Sequence, residues 1–125
     1  MELYTPNTED VIKYIFLSLT DNIIPNKTVI VNKIGDDIIP KLAVSFSANN
    51  KIYKFNETIT PYICAIDKEG TLIEKEITLV SKDRDVIYIP ITNDISSNKK
   101  VLEAIIKIVS EQGTLYSHPF TIVIN

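Results

Sequence analysis

Hydrophobic and polar residues alternate along much of this chain with the period of two that a half-buried β-strand requires. In the clearest run Leu42, Val44 and Phe46 share one face, while small residues occupy the other. A first strand is predicted before this run, at Thr28–Val31. A tight turn is predicted after it at Asn49-Asn50, because asparagine tolerates positive φ.

The second half of the chain contains five further strand-like segments separated by turn signals. The first two form a predicted hairpin around Asp67–Gly70, and in its second arm Ile73, Ile77 and Leu79 share a face. Pro90 places the far end of the third segment at a sheet edge or a bulge. The five segments are Tyr62–Ile66, Leu72–Val80, Val86–Ile91, Val101–Val109 and Phe120–Ile124.

Residues 7–20 are ambiguous in pattern, and we favour a short amphipathic helix there. Asn7 or Thr8 would cap this helix, and five apolar residues would share one of its faces. That face would dock on the sandwich or on a neighbouring subunit. The apolar residues are Val11, Ile12, Ile15, Phe16 and Leu19.

Residues 101–109 fit two structures. A helix from near Ser97 to Gly113 would place Glu103 and Lys107 at i and i+4. However, five of the nine residues are β-branched, and this composition favours a strand. In that strand the inward residues would be Leu102, Ala104, Ile106 and Ile108.

Composition limits the fold and the partners. A chain of 125 residues with 45% hydrophobic and 23% charged residues indicates one folded domain. The net charge of −3 and the scattered lysines exclude nucleic acid as the main partner. A single cysteine, Cys64, excludes an internal disulfide. The apolar run Ile15–Leu17 is too short to span a membrane and no signal peptide is visible, so we expect folding in a cytosol.

Candidate catalytic groups have simpler structural interpretations. His118, the only histidine, precedes Pro119 and has no evident triad partner, so we interpret it as structural. Cys64 lies within an apolar strand and is interpreted as a small hydrophobe. Glu74 and Glu76 share a strand face, a spacing that could place two carboxylates near one substrate, but we interpret them as part of a solvated sheet face.

Candidate binding groups are equally unspecific. Asp36-Asp37 and Asp83/Asp85 are oxygen-rich loops without the EF-hand ligand pattern, so no metal site is assigned. Asn26-Lys27-Thr28 and Asn56-Glu57-Thr58 match the glycosylation sequon, which has no meaning without secretion. Any exposed tyrosines would suit a protein or sugar interface. The tyrosines are Tyr4, Tyr14, Tyr53, Tyr62, Tyr88 and Tyr116.

The order of segments from residue 29 onward resembles a known family. Val29–Asp36 is a strand that ends in a Gly-Asp step. Leu42–Phe46 followed by Asn50–Phe55 is similar to a strand that leads into a Gly-Lys-Pro-Tyr-Asp-Leu turn, with Ile52 where the family often has proline. These features resemble the N-terminal domain of phage baseplate upper proteins and related tail-fibre attachment modules.

The rest of the chain continues the resemblance. Asp67–Thr71 is similar to the family's Pro-Asp-Gly-Thr hairpin, and Asp85–Ile91 to its Gly-Val-Val-Thr-Tyr-Thr-Leu strand. Leu102–Ile108 and Ser117–Ile124 resemble the closing strands, the second with the form Ser-x-x-Phe-Thr-Ile-x-Val. The resemblance rests on order and spacing, and it also favours a strand at 101–109.

The resemblance implies an all-β protein, an immunoglobulin-like antiparallel β-sandwich of about seven strands at residues 28–125. The first 28 residues have no counterpart in the family, so residues 1–27 are interpreted as an N-terminal extension for docking or oligomerisation. Family proteins usually continue into fibrous segments and distal heads, and this chain stops at Asn125. Attachment is therefore expected rather than receptor binding.

The resulting prediction is a non-enzymatic virion protein of a phage baseplate, tail fibre or other appendage, made in the bacterial host cytoplasm. Its partners would be other virion proteins and copies of itself, as a trimer or hexamer, without nucleic acid or membrane. No catalytic, cofactor-binding or metal residues are assigned, and the docking residues stay unknown. The rival function is a carbohydrate-binding sandwich, which the lack of tryptophan weakens.

Overall fold

The structure is a computed structural model that describes residues 1–20, 26–32, 38–96 and 101–125. These residues form twelve β-strands and one short helix, α1 (Asn93–Ser96). The strands are β1 (Glu2–Leu3), β2 (Ile12–Ser18), β3 (Lys27–Val31), β4 (Lys41–Ala48), β5 (Lys51–Ile52), β6 (Thr60–Ile66), β7 (Leu72–Glu76), β8 (Leu79–Val80), β9 (Val86–Pro90), β10 (Val101–Ser110), β11 (Gly113–Tyr116) and β12 (Phe120–Ile124).

The strands form two six-stranded sheets with a common core between them. Sheet A has the order β1-β8-β9-β4-β2, and β5 also pairs with β4. Sheet B has the order β3-β12-β10-β6-β7, and β11 also pairs with β10. The predicted all-β sandwich is therefore confirmed. The strands outnumber the seven expected because several, such as β1, β5 and β8, contain only two residues.

Alternate residues of the central strands fill the core. In β4 the side chains of Leu42, Val44 and Phe46 are fully buried, as the alternation predicted. The Phe55 ring lies edge-on against the Phe46 ring with 5.6 Å between centroids, a favourable aromatic geometry. Burying each such side chain contributes about 1.5–3 kcal/mol. In β10 the predicted inward residues are buried, namely Leu102, Ala104, Ile106 and Ile108.

The predicted turn at Asn49-Asn50 is confirmed. Ala48 pairs with Lys51, so the loop between β4 and β5 contains only two residues. Their φ angles are 52° at Asn49 and 64° at Asn50. Positive φ at both positions is the geometry of a type I′ turn, which matches the twist of the flanking strands.

The helix predicted within residues 7–20 is wrong. Residues Ile12–Ser18 form β2, which pairs in parallel with β4 from Ile12↔Lys41 to Ser18↔Ser47. The apolar residues of this segment fit both periods, and pairing with β4 stabilises the extended form. Ile15 and Leu17 enter the core, whereas Phe16 is exposed. The first 27 residues thus supply strands to the sandwich, and a docking role for them stays a prediction.

The single strand predicted at Leu72–Val80 is also wrong in part. The chain leaves sheet B after β7 and enters sheet A at β8, with Ile77 buried at the crossing. Ile77 N still donates to Pro61 O at 2.9 Å. After the crossing the inward position shifts by one residue, because Val80 is fully buried and Leu79 only partly.

Three of the ten pairings among the described residues are parallel, so the antiparallel expectation holds for the other seven. The parallel pairs are β1–β8, β2–β4 and β3–β12. Each joins one of the first three strands to a strand that is not its neighbour in sequence. Pro90 was expected at a sheet edge or a bulge. The short strand β8 pairs only with Ile87 and Tyr88 of β9, so, among the described residues, Pro90 has no neighbouring strand on that side.

The short helix α1 had no signal in the sequence. It is anchored by Ile95, which is fully buried, and by Lys75 of β7, whose ammonium lies 2.7 Å from Asp94 Oδ2. This bond to Lys75 is the main reason that the pKa of Asp94 is lowered. The alternative helix predicted from near Ser97 begins outside the described residues, and β10 replaces the rest of it.

Candidate functional site

The outer surface of sheet B carries apolar side chains where a monomer usually presents polar ones. Cross-strand pairing places Cys64 beside Ile105, and Ile66 beside Leu72. Leu72 is 78% exposed and Ile66 is 39% exposed. Together with Pro119 these residues line an open depression of about 290 Å³.

Carboxylates lie on the same surface as this apolar centre, and of them Glu103 lines the depression. Glu103 pairs with Ile66 across the ladder, and its Oε1 accepts a hydrogen bond of 2.8 Å from Thr121 Oγ1. Glu74 pairs with Cys64, and Glu76 lies two residues further along β7. We call these three carboxylates and the apolar residues around them the sheet B face. The apolar residues are Cys64, Ile66, Leu72, Ile105 and Pro119.

One cation lies at the border of the sheet B face. The Lys107 ammonium pairs with the Glu74 carboxylate and lies 4.7 Å from the centroid of the Tyr62 ring. The pKa of Lys107 is raised, chiefly because this hydrogen bond to Glu74 stabilises the charged form. With three carboxylates and one ammonium, the described part of this surface has a net charge of −2.

A second apolar surface lies on β2, at the edge of sheet A. Tyr14 is 68% exposed and Phe16 is 43% exposed, and both side chains project from the outer side of the sheet. The Lys27 ammonium lies 5.6 Å from the centroid of the Phe16 ring. Lys13 is also exposed, but it projects from the other side of the strand because side chains alternate along β2. We call Lys13, Tyr14, Phe16 and Lys27 the β2 patch.

The β2 patch also presents backbone groups. Lys41 N donates to Val11 O and Leu19 N donates to Ser47 O, both at 2.9 Å. In a parallel ladder with this register, the backbone N–H and C=O groups of the odd-numbered residues of β2 point towards β4. The backbone groups of Tyr14 and Phe16 therefore point away from β4. The Phe16 carbonyl accepts a hydrogen bond from Lys27 Nζ. An edge strand with large apolar side chains is a typical binding surface.

The structure does not assemble the candidate catalytic groups into a site. Burial raises the pKa of the Cys64 thiol, and Glu74 raises it further, which disfavours the thiolate at neutral pH. His118 is partly buried next to Ser117, whose Oγ accepts from Ile106 N at 2.8 Å and donates to His118 O at 3.1 Å. The Ser117 hydroxyl is therefore used in backbone bonding. Sequence reasoning missed Ser117, because nothing in the pattern marks a buried serine between two strands.

The acidic loop that contains Asp83 and Asp85 is an ordinary turn. Asp85 Oδ1 accepts a hydrogen bond of 2.9 Å from Ser81 Oγ, and the same oxygen of Ser81 accepts from Val86 N at 3.0 Å. Asp36-Asp37 lies outside the described residues. Across the described ranges, no three His, Cys, Asp or Glu side chains cluster as metal ligands would.

The tyrosines do not form a common platform. Tyr14 projects from sheet A, whereas Tyr116, which is 56% exposed, belongs to sheet B. Tyr88 is buried at 4% exposure, beneath a Tyr4 ring whose centroid is 4.9 Å away. Tyr53 and Tyr62 are partly buried. In the part of the chain described here, no helix is long and apolar enough to cross a membrane.

The fold is similar to that of a phage protein domain. The N-terminal domain of phage TP901-1 ORF48 matches with a TM-score of 0.71, over 92% of this chain and 98% of that chain. The two sequences are 14% identical, so the likeness is one of fold. No protein-family model matches this sequence, and no curated protein matches it. The likeness agrees with the sequence resemblance at the level of the fold.

Proposed function

We propose that this protein is a non-enzymatic structural module of a phage virion, which attaches a baseplate, tail fibre or other appendage through protein–protein contacts. One observation carries the proposal: the shared fold spans nearly all of this chain and of the TP901-1 ORF48 domain. Because a fold alone does not fix a function, the surfaces of this chain must also suit attachment.

The two apolar surfaces support attachment. Leu72 and Tyr14 are the most exposed large hydrophobic side chains of the described residues, at 78% and 68%. Contiguous exposed apolar groups rimmed by charge mark protein interaction sites. Aromatic side chains are enriched at such interfaces, because they bury a large area with few rotatable bonds. The β2 patch and the sheet B face both combine exposed apolar groups with charged neighbours, and the β2 patch also presents the rings of Tyr14 and Phe16.

Assembly in several copies would strengthen a weak contact. We propose that the protein acts with other virion proteins as a trimer or hexamer. When several copies engage a symmetric particle together, each further contact is effectively intramolecular, and avidity can exceed single-site affinity by about 10²–10⁴. A domain of this size then needs no single large interface.

The proposal is tested on purified particles. Phage particles encoded by the genome that carries this gene would be separated on a density gradient, and each fraction probed with an antibody against this protein. We expect the protein to band with the particles in a fixed ratio to the major tail protein. Its presence in the lysate and absence from banded particles would overturn the proposal.

Carbohydrate binding is the second candidate, and the exposure of Tyr14 beside Phe16 favours it over other rivals. In that case Tyr14→Ala would abolish binding on a glycan array, whereas Tyr116→Ala would leave it unchanged. A virion module as proposed would show no glycan binding with either ring in place.

A further inference from the structure

We infer that copies of this protein bind one another head to tail, with the β2 patch of one copy against the sheet B face of the next. The inference rests on the proposed function, because it names the partner that these surfaces would take during assembly. It commits to a second copy of this chain as the occupant of both surfaces.

The charges of the two surfaces are complementary. The β2 patch contains the ammonium groups of Lys27, beside the Phe16 ring, and of Lys13, on the other side of the same edge strand. The sheet B face contains the carboxylates of Glu74, Glu76 and Glu103 around its apolar centre. Opposite potentials steer the encounter of two surfaces and fix their register.

The apolar groups protrude on one surface and line a depression on the other. The exposed rings of Tyr14 and Phe16 stand on alternate residues of one strand, so both point to the same side. The open depression of the sheet B face, about 290 Å³, is lined by apolar side chains with Leu72 at its edge. Rings that enter an apolar depression rimmed by charge are the usual centre of an interface.

Pairing each surface with itself is unfavourable. Two sheet B faces in contact would bring together two surfaces of net charge −2. Two β2 patches would bring Lys13 and Lys27 near their own copies. Like-charge juxtaposition disfavours both arrangements, so the contact is heterologous.

A heterologous contact either closes into a ring or continues as a filament. The β2 patch lies at the edge of sheet A, and the sheet B face is the outer surface of the opposite sheet. The two surfaces therefore point in different directions, and each copy can engage two neighbours at once. We expect a closed ring of a few copies, in agreement with the proposed trimer or hexamer.

Two variants test the inference, each disabling one surface. The first is Lys13→Glu/Tyr14→Ser in the β2 patch, and the second is Leu72→Ser/Glu103→Lys in the sheet B face. All four side chains are exposed, so folding should persist, and circular dichroism checks it. The matched control, Leu3→Ser/Lys82→Glu, makes the same kinds of change at exposed residues of neither surface.

Sedimentation velocity would be measured over micromolar to millimolar protein. We expect the native sequence and the control to form a discrete oligomer that weakens as sodium chloride is added. Each variant alone should be monomeric. An equimolar mixture should form a heterodimer and nothing larger, because one intact β2 patch then meets one intact sheet B face.

Three results would overturn the inference: a monomeric native protein at all concentrations, a mixture that does not associate, or either variant retaining the native oligomer. A monomer that still bands with purified particles removes this inference and leaves the proposed function in place. An oligomer that is absent from purified particles removes the proposed function and leaves the contact between the two surfaces in place.

Discussion

The Tyr4 hydroxyl donates a hydrogen bond to the Asp10 carboxylate and so closes the loop between β1 and β2 onto sheet A. The other carboxylate oxygen of Asp10 lies 3.6 Å from the Lys41 ammonium, which itself lies 5.1 Å from the centroid of the Tyr4 ring. Beneath them is Tyr88. This cluster fixes the chain that leads into the β2 patch.

The Tyr4–Asp10 bond predicts that the Tyr4 hydroxyl ionises at a higher pH than an ordinary tyrosine. Burial, and then the bond to Asp10, raises the pKa of Tyr4 to about 12. A raised pKa contributes stability that is present below the unfolded value, about 10, and is lost as pH rises through the folded value. Tyr4→Phe should therefore remove one late step from the tyrosinate absorbance titration. The opposite result, an unchanged late step, would show that the Tyr4 hydroxyl is solvated.

The Asp10 carboxylate is expected to stabilise the fold at neutral pH and to lose this effect in acid. The bond from Tyr4, followed by the bond from Asn7 N, lowers the pKa of Asp10. The stability it contributes is present above the unfolded value, about 4, and is lost as pH falls through the lowered folded value. Asp10→Asn should lower the melting temperature at neutral pH, and its deficit should shrink towards pH 2. The exposed neighbour Glu9→Gln is the control and should match the native protein.

Phe46 predicts a large loss of stability. Its side chain is fully buried against Phe55, and Phe46→Ala would leave a cavity between the sheets. We expect a loss of about 3–5 kcal/mol in the free energy of unfolding, measured by urea denaturation. Phe16→Ala, at a ring that is 43% exposed, should cost far less. Equal losses for the two variants would contradict the assigned faces of β2 and β4.

The Asn49-Asn50 turn predicts a stabilising substitution. Asn50 has φ of 64°, which glycine adopts without steric cost, and Asn-Gly is the preferred sequence for this turn. Asn50→Gly should keep or raise the melting temperature. Asn50→Val should lower the melting temperature, because positive φ costs a β-branched residue about 1–2 kcal/mol of folding free energy. If both variants melted alike, the turn would not have positive φ at this position.

Cys64 predicts slow alkylation. Burial raises its thiol pKa, so the folded protein should react with iodoacetamide more slowly at pH 8 than the urea-unfolded protein. Glu74→Gln should speed the reaction, because it removes a carboxylate that disfavours the thiolate. Folded and unfolded rates that coincide would show a fully solvated thiol.

The sequence predicted those strands that alternating apolar and polar residues identify without reference to a neighbouring strand. β4 and β10 are examples, since their inward residues are apolar at every second position. β2 could not be predicted in this way. Its apolar residues fit a helix as well as a strand, and only the presence of β4 beside it decides between them. The crossing at Ile77 was missed for a similar reason, because it depends on which sheet receives the chain.

The candidate surfaces were even less accessible to sequence reasoning. Leu72 was not on the shared face predicted for its strand, and Tyr14 was one of six tyrosines that would suit an interface if exposed, so nothing in the sequence singled out either residue. Their exposure follows from the absence of a further layer outside each sheet among the described residues. A pattern of residues reports which side chains share a face, and it does not report what covers that face.

The parallel pairing of β3 with β12 has a consequence for biosynthesis. Val29 aligns with Ile122, so one strand lies beside another that is synthesised about 90 residues later. On the ribosome, Val29 and Val31 must remain without this neighbour until residues 120–124 emerge. Sheet B is therefore completed only after residues 120–124 have left the ribosome, and until then the nascent chain exposes an unpaired β-branched segment.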